Sequence, residues 1–192
     1  MGLKKFILAL VVLLPACQAA DNQQSQNLAN PHNPQLQALV NADQADRQGP
    51  LDDALWKEIS LRDEQRRVAV RAELAAGRVK SALDFYNAAL VMQHGPTLED
   101  IRMAHAMATL ASDLDPLDRS ARWLKAASWD RMMTTQKKPQ WYGTQYTRDA
   151  DGTWALLPLD ESAVTDEQRI ELAAPTLAEA RKRVENMDSA GR

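Results

Sequence analysis

Four side chains in the second half of the chain could do chemistry: His94, His105, Asp130 and Arg131. An imidazole beside a carboxylate can act as a general base, and two histidines with an aspartate could hold a metal. Gln140 and Gln145 come next, in the run Pro139-Gln140-Trp141-Tyr142-Gly143-Thr144-Gln145, which sets amides among aromatic rings. None of these residues falls in a spacing signature, since the chain has no H-x-x-x-H, no G-x-S-x-G and no phosphate loop. Structural roles therefore rank ahead of catalysis. His94 before Gly95-Pro96 suits a helix end, and His105, between Ile101 and Ala108, suits a hydrogen-bonded core position. Asp130 and Arg131 suit fastening a helix to the segment behind it, by capping free amides or as a partly buried pair. Gln140, Trp141, Tyr142, Thr144 and Gln145 are the expected binding residues, with no metal site and no cofactor expected.

The elements that must position these residues read as helices. Leu36, Leu39 and Val40 fall at helical spacing within 35–47, before the Gly49-Pro50 break. A long helix runs from 51 to about 76. Leu51, Leu55, Ile59, Val68, Ala72 and Ala75 mark its inner side, and Arg62, Asp63, Glu64, Arg66 and Arg67 read as a solvated face. Gly77 is a natural C-cap. The next helix starts near Ser81, points Leu83, Tyr86, Asn87, Leu90 and Val91 inward, and ends at Gln93-His94-Gly95-Pro96. Thr97 with Asp100 opens a helix lined by Ile101, Ala104, His105, Ala108 and Ala111, with Met103, Met107 and Leu110 beside them. Asp115-Pro116 predicts the start of another, from 117 to about 135. Alternation on either side of the 148–152 turn predicts one β-hairpin over 141–157. Thr165 or Asp166 opens a short helix, and Thr176 with Glu179 caps a last one reaching Asn186. The expected fold class is mainly α: antiparallel helical hairpins in a repeat-like bundle with one small β-hairpin near the C-terminus. It forms a single domain over 35–187, with 188–192 as a disordered tail.

Bulk composition agrees with one soluble domain: 192 residues, 45% hydrophobic and 26% charged, with a mean hydropathy of −0.45. Beyond residue 17 the chain has 21 basic and 26 acidic residues. That balance excludes nucleic acid as the expected partner, because its binding needs basic patches. No second long apolar run lies beyond the N-terminus, so no membrane-spanning helix is expected there.

The N-terminus reads as an address. Lys4 and Lys5 precede a short apolar run over 6–14, too short to span a bilayer. Leu14-Pro15-Ala16-Cys17 then resembles the lipobox of bacterial lipoproteins, in which the cysteine becomes the lipidated first residue after cleavage. The resemblance implies a signal peptide over 1–16, lipidation at Cys17 (the only cysteine) and a polar tether over 17–34. Gln18 after the cysteine resembles lipoproteins sent to the outer membrane, facing the periplasm. The alternative is ordinary cleavage after Ala19 or Ala20. The tether's 17 residues after Cys17 would reach on the order of 20–25 Å as a random coil, and His32 within it is a solvated loop residue.

Five segments occur in order: Ala42-Asp43-Gln44-Ala45-Asp46-Arg47, Gln93-His94-Gly95, Asp130-Arg131, the 139–145 run, and Val164-Thr165-Asp166-Glu167-Gln168-Arg169. Together they resemble a family of bacterial proteins known only as a domain of unknown function, mainly helical and in part repeat-like, over about 35–187. The resemblance implies the fold and groups the residues, but implies no activity. The functional expectation is a membrane-anchored periplasmic binding or accessory lipoprotein that holds a protein or peptide partner on a helical-hairpin face, with an immunity-type role among the options. The competing expectation is a hydrolase or metal-dependent enzyme using His94, His105 and Asp130. A Cys17→Ser change should release the protein from membranes into the soluble periplasmic fraction, as followed by fractionation; unchanged retention excludes lipidation.

Overall fold

The computed structural model of the chain describes residues 32–48, 52–149 and 151–190. The expected signal peptide, Cys17, nearly all of the expected tether, the Gly49-Pro50 break with Leu51, Ala150 and the last two residues lie outside them. Among the described residues there are seven helices and one two-stranded sheet: α1 (Pro34–Ala45), α2 (Asp53–Ala75), α3 (Ala82–Met92), α4 (Leu98–Leu114), α5 (Arg119–Thr135), β1 (Tyr146–Arg148), β2 (Trp154–Leu156), α6 (Asp166–Glu171) and α7 (Leu177–Ala190). None of the helices is long and apolar enough to cross a membrane.

Side-chain caps set most of the boundaries. Asn33, Asp52, Ser81, Thr97, Asp118 and Thr165 each accept a backbone N–H of the turn they open. Ser81 with Asp84, Thr97 with Asp100 and Thr165 with Gln168 form reciprocal boxes. Gly77 ends α2 at φ 66°, where a residue without Cβ is unstrained. Two boundaries differ from expectation. Asp115 is the C-cap of α4, and Asp118 caps α5 by accepting from Ser120 N at 2.8 Å. The Asp115 carboxylate folds onto Leu117 N in a local turn instead, so Pro116-Leu117 lie between the helices. At the other end, α7 runs to Ala190, past the expected end at Asn186 and into the expected tail.

α3, α4 and α5 pack up-down-up. Ala88, Ala89, Ala104, Ala108, Ala111, Ala126 and Ala127 are buried, and such small side chains let helices approach closely. Leu36, Val40, Val70, Leu90, Val91, Met92, Met107 and Leu124 fill the space between them and the first two helices. α1 lies in the groove between α2 and α3. It runs parallel to α3, since Asn33 N donates to Asp84 (2.6 Å), Asn87 Nδ2 to Gln37 (3.2 Å), and His94 meets Asp43 (3.0 Å). It runs antiparallel to α2, with Asn33 on Glu73 (2.6 Å) and Arg47 on Asp63 (2.6 Å).

The face that α2 buries corrects the expectation. Ile59, Asp63, Arg66, Arg67, Val70 and Glu73 are buried, while Val68, Ala72 and Ala75 are exposed. Apart from the exposed Glu64, the charge run faces an internal seam because its counterions come from the end of α1 and from α4: Asp46 pairs with Arg62 and Arg66, Arg47 with Asp63, and Asp100 with Arg67. Leu83 and Leu110, expected inside, are also exposed.

The hairpin is shorter than predicted. β1 and β2 pair as Tyr146↔Leu156, Thr147↔Ala155 and Arg148↔Trp154, and residues 141–145 are not part of the strand. α7 covers β2, and the Tyr146 hydroxyl reaches Ala180 O at 3.4 Å.

Where α1 begins, Glu73 accepts from both Arg78 and Asn33, which hold its carboxyl down at about 2 from the ordinary 4.5. A depressed carboxyl contributes stability that is complete above its unfolded value and is lost as pH falls through its folded one. Urea midpoints should therefore drop between pH 4.5 and about 2, and Glu73→Gln should flatten that limb; an unaltered limb in the variant contradicts the pairing.

Candidate functional site

Two polar clusters gather most of the residues singled out in the sequence, and they differ in one respect: the first is closed on itself and the second is not.

The first cluster is built around Asp130, on the inner side of α5 and 0% exposed. After α5 the chain turns through Lys137 at φ 60° and doubles back, which aims the amides of residues 141–144 at this carboxylate. Trp141 N (2.8 Å) and Tyr142 N (2.9 Å) donate to Oδ1, and Thr144 N (3.0 Å) and Thr144 Oγ1 (2.8 Å) donate to Oδ2. Burial pushes the Asp130 carboxyl upward against the pull of these donors. In every contact Asp130 accepts, so the cradle fits the ionised form. Gly143 must be glycine on two counts: φ is 75°, and a Cβ would come within 3.1 Å of Ala180 Cβ and 3.2 Å of Leu159 Cδ1.

Gln140, also 0% exposed, works as an artificial strand partner. Its Nε2 donates to Gln145 O (2.9 Å) and Leu157 O (3.0 Å), and its Oε1 accepts from Gln145 N (2.9 Å). Gln145 Nε2 in turn donates to Ala127 O at 3.2 Å. Arg169, buried on α6, donates to Trp141 O (2.9 Å) and Val164 O (2.9 Å). Gln140, Thr144 and Gln145 are thus buried and engaged internally, which corrects their expected role as a surface that a partner could touch. Trp141 and Tyr142 are half-buried, with the Trp141 ring 4.7 Å from that of Trp129.

The second cluster lies at the end of the bundle where α1, α3 and α5 finish and α4 begins. His94, just past α3, meets Asp43 Oδ1 through Nδ1 at 3.0 Å. Burial lowers the His94 pKa, with Arg47 and Arg131 adding to the shift and Asp43 opposing it. The neutral ring therefore donates from Nδ1 to Asp43, leaving Nε2 as an acceptor. Burial alone would raise the Asp43 carboxyl, but the His94 hydrogen bond and the Arg47 charge work against it and the carboxyl is held low. Gly95 lets this corner close, since a Cβ there would fall 2.2 Å from Asp100 Cβ. Asp100 pairs with Arg67 and Arg71 from α2.

One positive charge at this end has no match. Among the described residues here, Asp43, Asp46, Asp63, Asp100 and the exposed Glu58 pair with the guanidiniums of Arg47, Arg62, Arg66, Arg67 and Arg71. Arg131 is the one with no carboxylate in ion-pair reach. Its Nη1 is sealed from solvent with no acceptor, and burial, with the Arg47 charge adding, pushes its pKa down to about 10. Gln93, beside His94, likewise has a buried Nε2 without a partner.

His94, His105 and Asp130 do not share a site. His105 sits between α4 and α5 with Nδ1 3.2 Å from Lys125 O and from Ser128 Oγ, its ring 5.4 Å from Trp129. It is hydrogen-bonded, as the structural reading expects, but half-buried and not in the core, and its partial burial lowers its pKa. Among the described residues no group of three or more His, Cys, Asp or Glu side chains could hold a metal ion. The site residues that sequence reasoning passed over are Asp43, Arg47 and Gln93. All three lie in segments that the sequence singles out, but their pairing across α1 and α3 has no local signal.

No protein-family profile, no curated protein and no solved structure matches the chain.

The Asp130 cradle has a direct energetic consequence. Asp130→Ala leaves the backbone N–H groups of Trp141 and Tyr142, part-buried, and of Thr144, buried, without this acceptor and should cost about 3 kcal/mol in urea unfolding. Thr144→Val, which removes one hydroxyl donor, should cost only about 1–2 kcal/mol. Equal losses in the two variants contradict the cradle.

Proposed function

We propose that this protein is an envelope-tethered binding module that holds an anionic group, a carboxylate or a phosphate, at the polar end of its helical bundle. The observation that carries this reading is Arg131, a guanidinium with a sealed nitrogen that no acceptor meets, beside Arg47 and His94. A half-buried guanidinium with one nitrogen cut off from water and no counterion costs the fold stability, and an arriving anion supplies what Arg131 lacks, a two-oxygen acceptor for its planar fork. The acidic balance of the chain makes this local excess of positive charge a specific feature. The tether and the lipidated Cys17 supply the envelope location in this reading, and the acidic group of a protein or peptide partner is one natural source of the anion.

A second reading has its own observation. Asp43 orients His94 in the manner of a carboxylate–imidazole dyad, with Nε2 left to accept a proton. This moves the hydrolase alternative from Asp130 to Asp43, and it uses neither His105 nor a metal.

Arg131→Met should raise the stability of the ligand-free protein by about 1–4 kcal/mol in urea and abolish the stabilisation that inorganic phosphate or acetate gives the wild type. Phosphate alone acting, or acetate alone, identifies the anion class. A destabilised Arg131→Met variant, or an anion response that survives in it, overturns the site. Turnover of p-nitrophenyl phosphate that disappears in His94→Gln places the site with the hydrolases instead.

A further inference from the structure

The end of the bundle opposite His94 carries a different surface. Leu110 and Leu114 lie one turn apart on the outer side of α4, Leu117 lies in the turn to α5, and Leu83 lies in the first turn of α3; all four are exposed. Leu117 is 87% exposed, more than any other large apolar side chain among the described residues. The same end holds the start of α1. Asn33 N bonds Asp84, the residue next to Leu83, and Tyr86 of α3 bonds Ser120 at the start of α5.

The chain therefore enters the fold beside these leucines. From Asn33 it leads back through a short polar stretch to Cys17 and the apolar run over 6–14. A tether of that length keeps its attachment point within about 20–25 Å of the anchor, so the leucine end is the part of the bundle held at the lipid surface. Exposed apolar side chains brought repeatedly to a bilayer partition into its interfacial layer. Lys80 and Arg119, exposed at the same end, can bury their stems there and extend their charges to headgroup phosphates. Asp113 and Asp115 share this end, so the attraction is apolar first and does not need an anionic membrane.

We propose that the Leu110–Leu114–Leu117 surface rests on the bilayer and orients the bundle, turning the Arg131–His94 end away from the membrane. The proposal rests on the anchoring at Cys17 and is independent of the anion site.

The test uses the full-length lipoprotein reconstituted into phosphatidylcholine vesicles, with a bimane label on a cysteine introduced as Leu114→Cys, Leu117→Cys or Leu61→Cys. Leu61 is the control: it is 59% exposed, close to the 56% of Leu114, but lies on α2 near the polar end. Doxyl-labelled lipid should quench the label at 114 and 117 and leave the label at 61 bright. Equal quenching at all three positions, or none at any, overturns the orientation. Vesicles that fail to retain the wild-type protein, or wild type that takes up label at Cys17, overturn the anchor and the orientation together. Retention with uniform fluorescence overturns the orientation alone.

Discussion

A single buried carboxylate decides how the last third of this protein is attached to the rest. The amides of residues 141–144 belong to no helix or strand, and a segment of that kind ordinarily lies at the surface, where water satisfies it. Here Asp130 supplies the acceptors from inside the bundle. The position of the bend is therefore set by α5. The later elements inherit that placement: Gln140 seats the hairpin strands, Arg169 ties the bend to α6, and Asp166 passes the connection to α7 through Leu177 N at 2.9 Å. The tilted rings of Trp129 and Trp141 meet across the junction and continue the packing to His105.

The two polar clusters make an instructive pair because the same chemistry has opposite outcomes. Around Asp130 each oxygen meets donors, so the site has no further capacity. Around Arg131 the donors exceed the acceptors, and the fold carries an electrostatic cost that packing elsewhere must offset. Asp130 and Arg131 are neighbours in sequence, yet their side chains leave the helix in different directions and serve different ends. One residue locks the architecture and the other leaves it incomplete, a combination that makes an adjacent Asp-Arg pair look like a simple ion pair when only the sequence is read.

Local chemistry was readable in the sequence and long-range pairing was not. The caps at Ser81, Thr97 and Thr165 and the stop at Gly77 depend on residues within a few positions, and they stand where propensity rules place them. Asp115 misled because a proline after an acid is a start signal only when no better acceptor comes after it, and Asp118 is the better one. Asp63, Arg66 and Arg67 looked solvated because, apart from the local Asp63–Arg66 pair, the counterions that bury them, Asp46 and Arg47 among them, lie outside α2, sixteen or more residues away. The 139–145 run was recognisable as special, and aromatic rings among amides suggested a surface. Only the position of Asp130 beneath it shows that the amides turn inward.

The way α1 is held has a mechanical implication. Its first residue is clamped by Asn33 to Glu73 and Asp84, and its last turn by ion pairs to α2 and by His94. Tension arriving along the chain from the N-terminal side loads the Asn33 clamp before anything else, so the bonds rupture in sequence, like a zipper opened from one tab. Peeling would proceed toward Asp43, leaving the α3–α4–α5 hairpins unstressed until the strap came free. Losing Asp43 would then leave His94 Nδ1 without its acceptor, so a pull at the start of α1 would reach the hydrogen bonding of the far end.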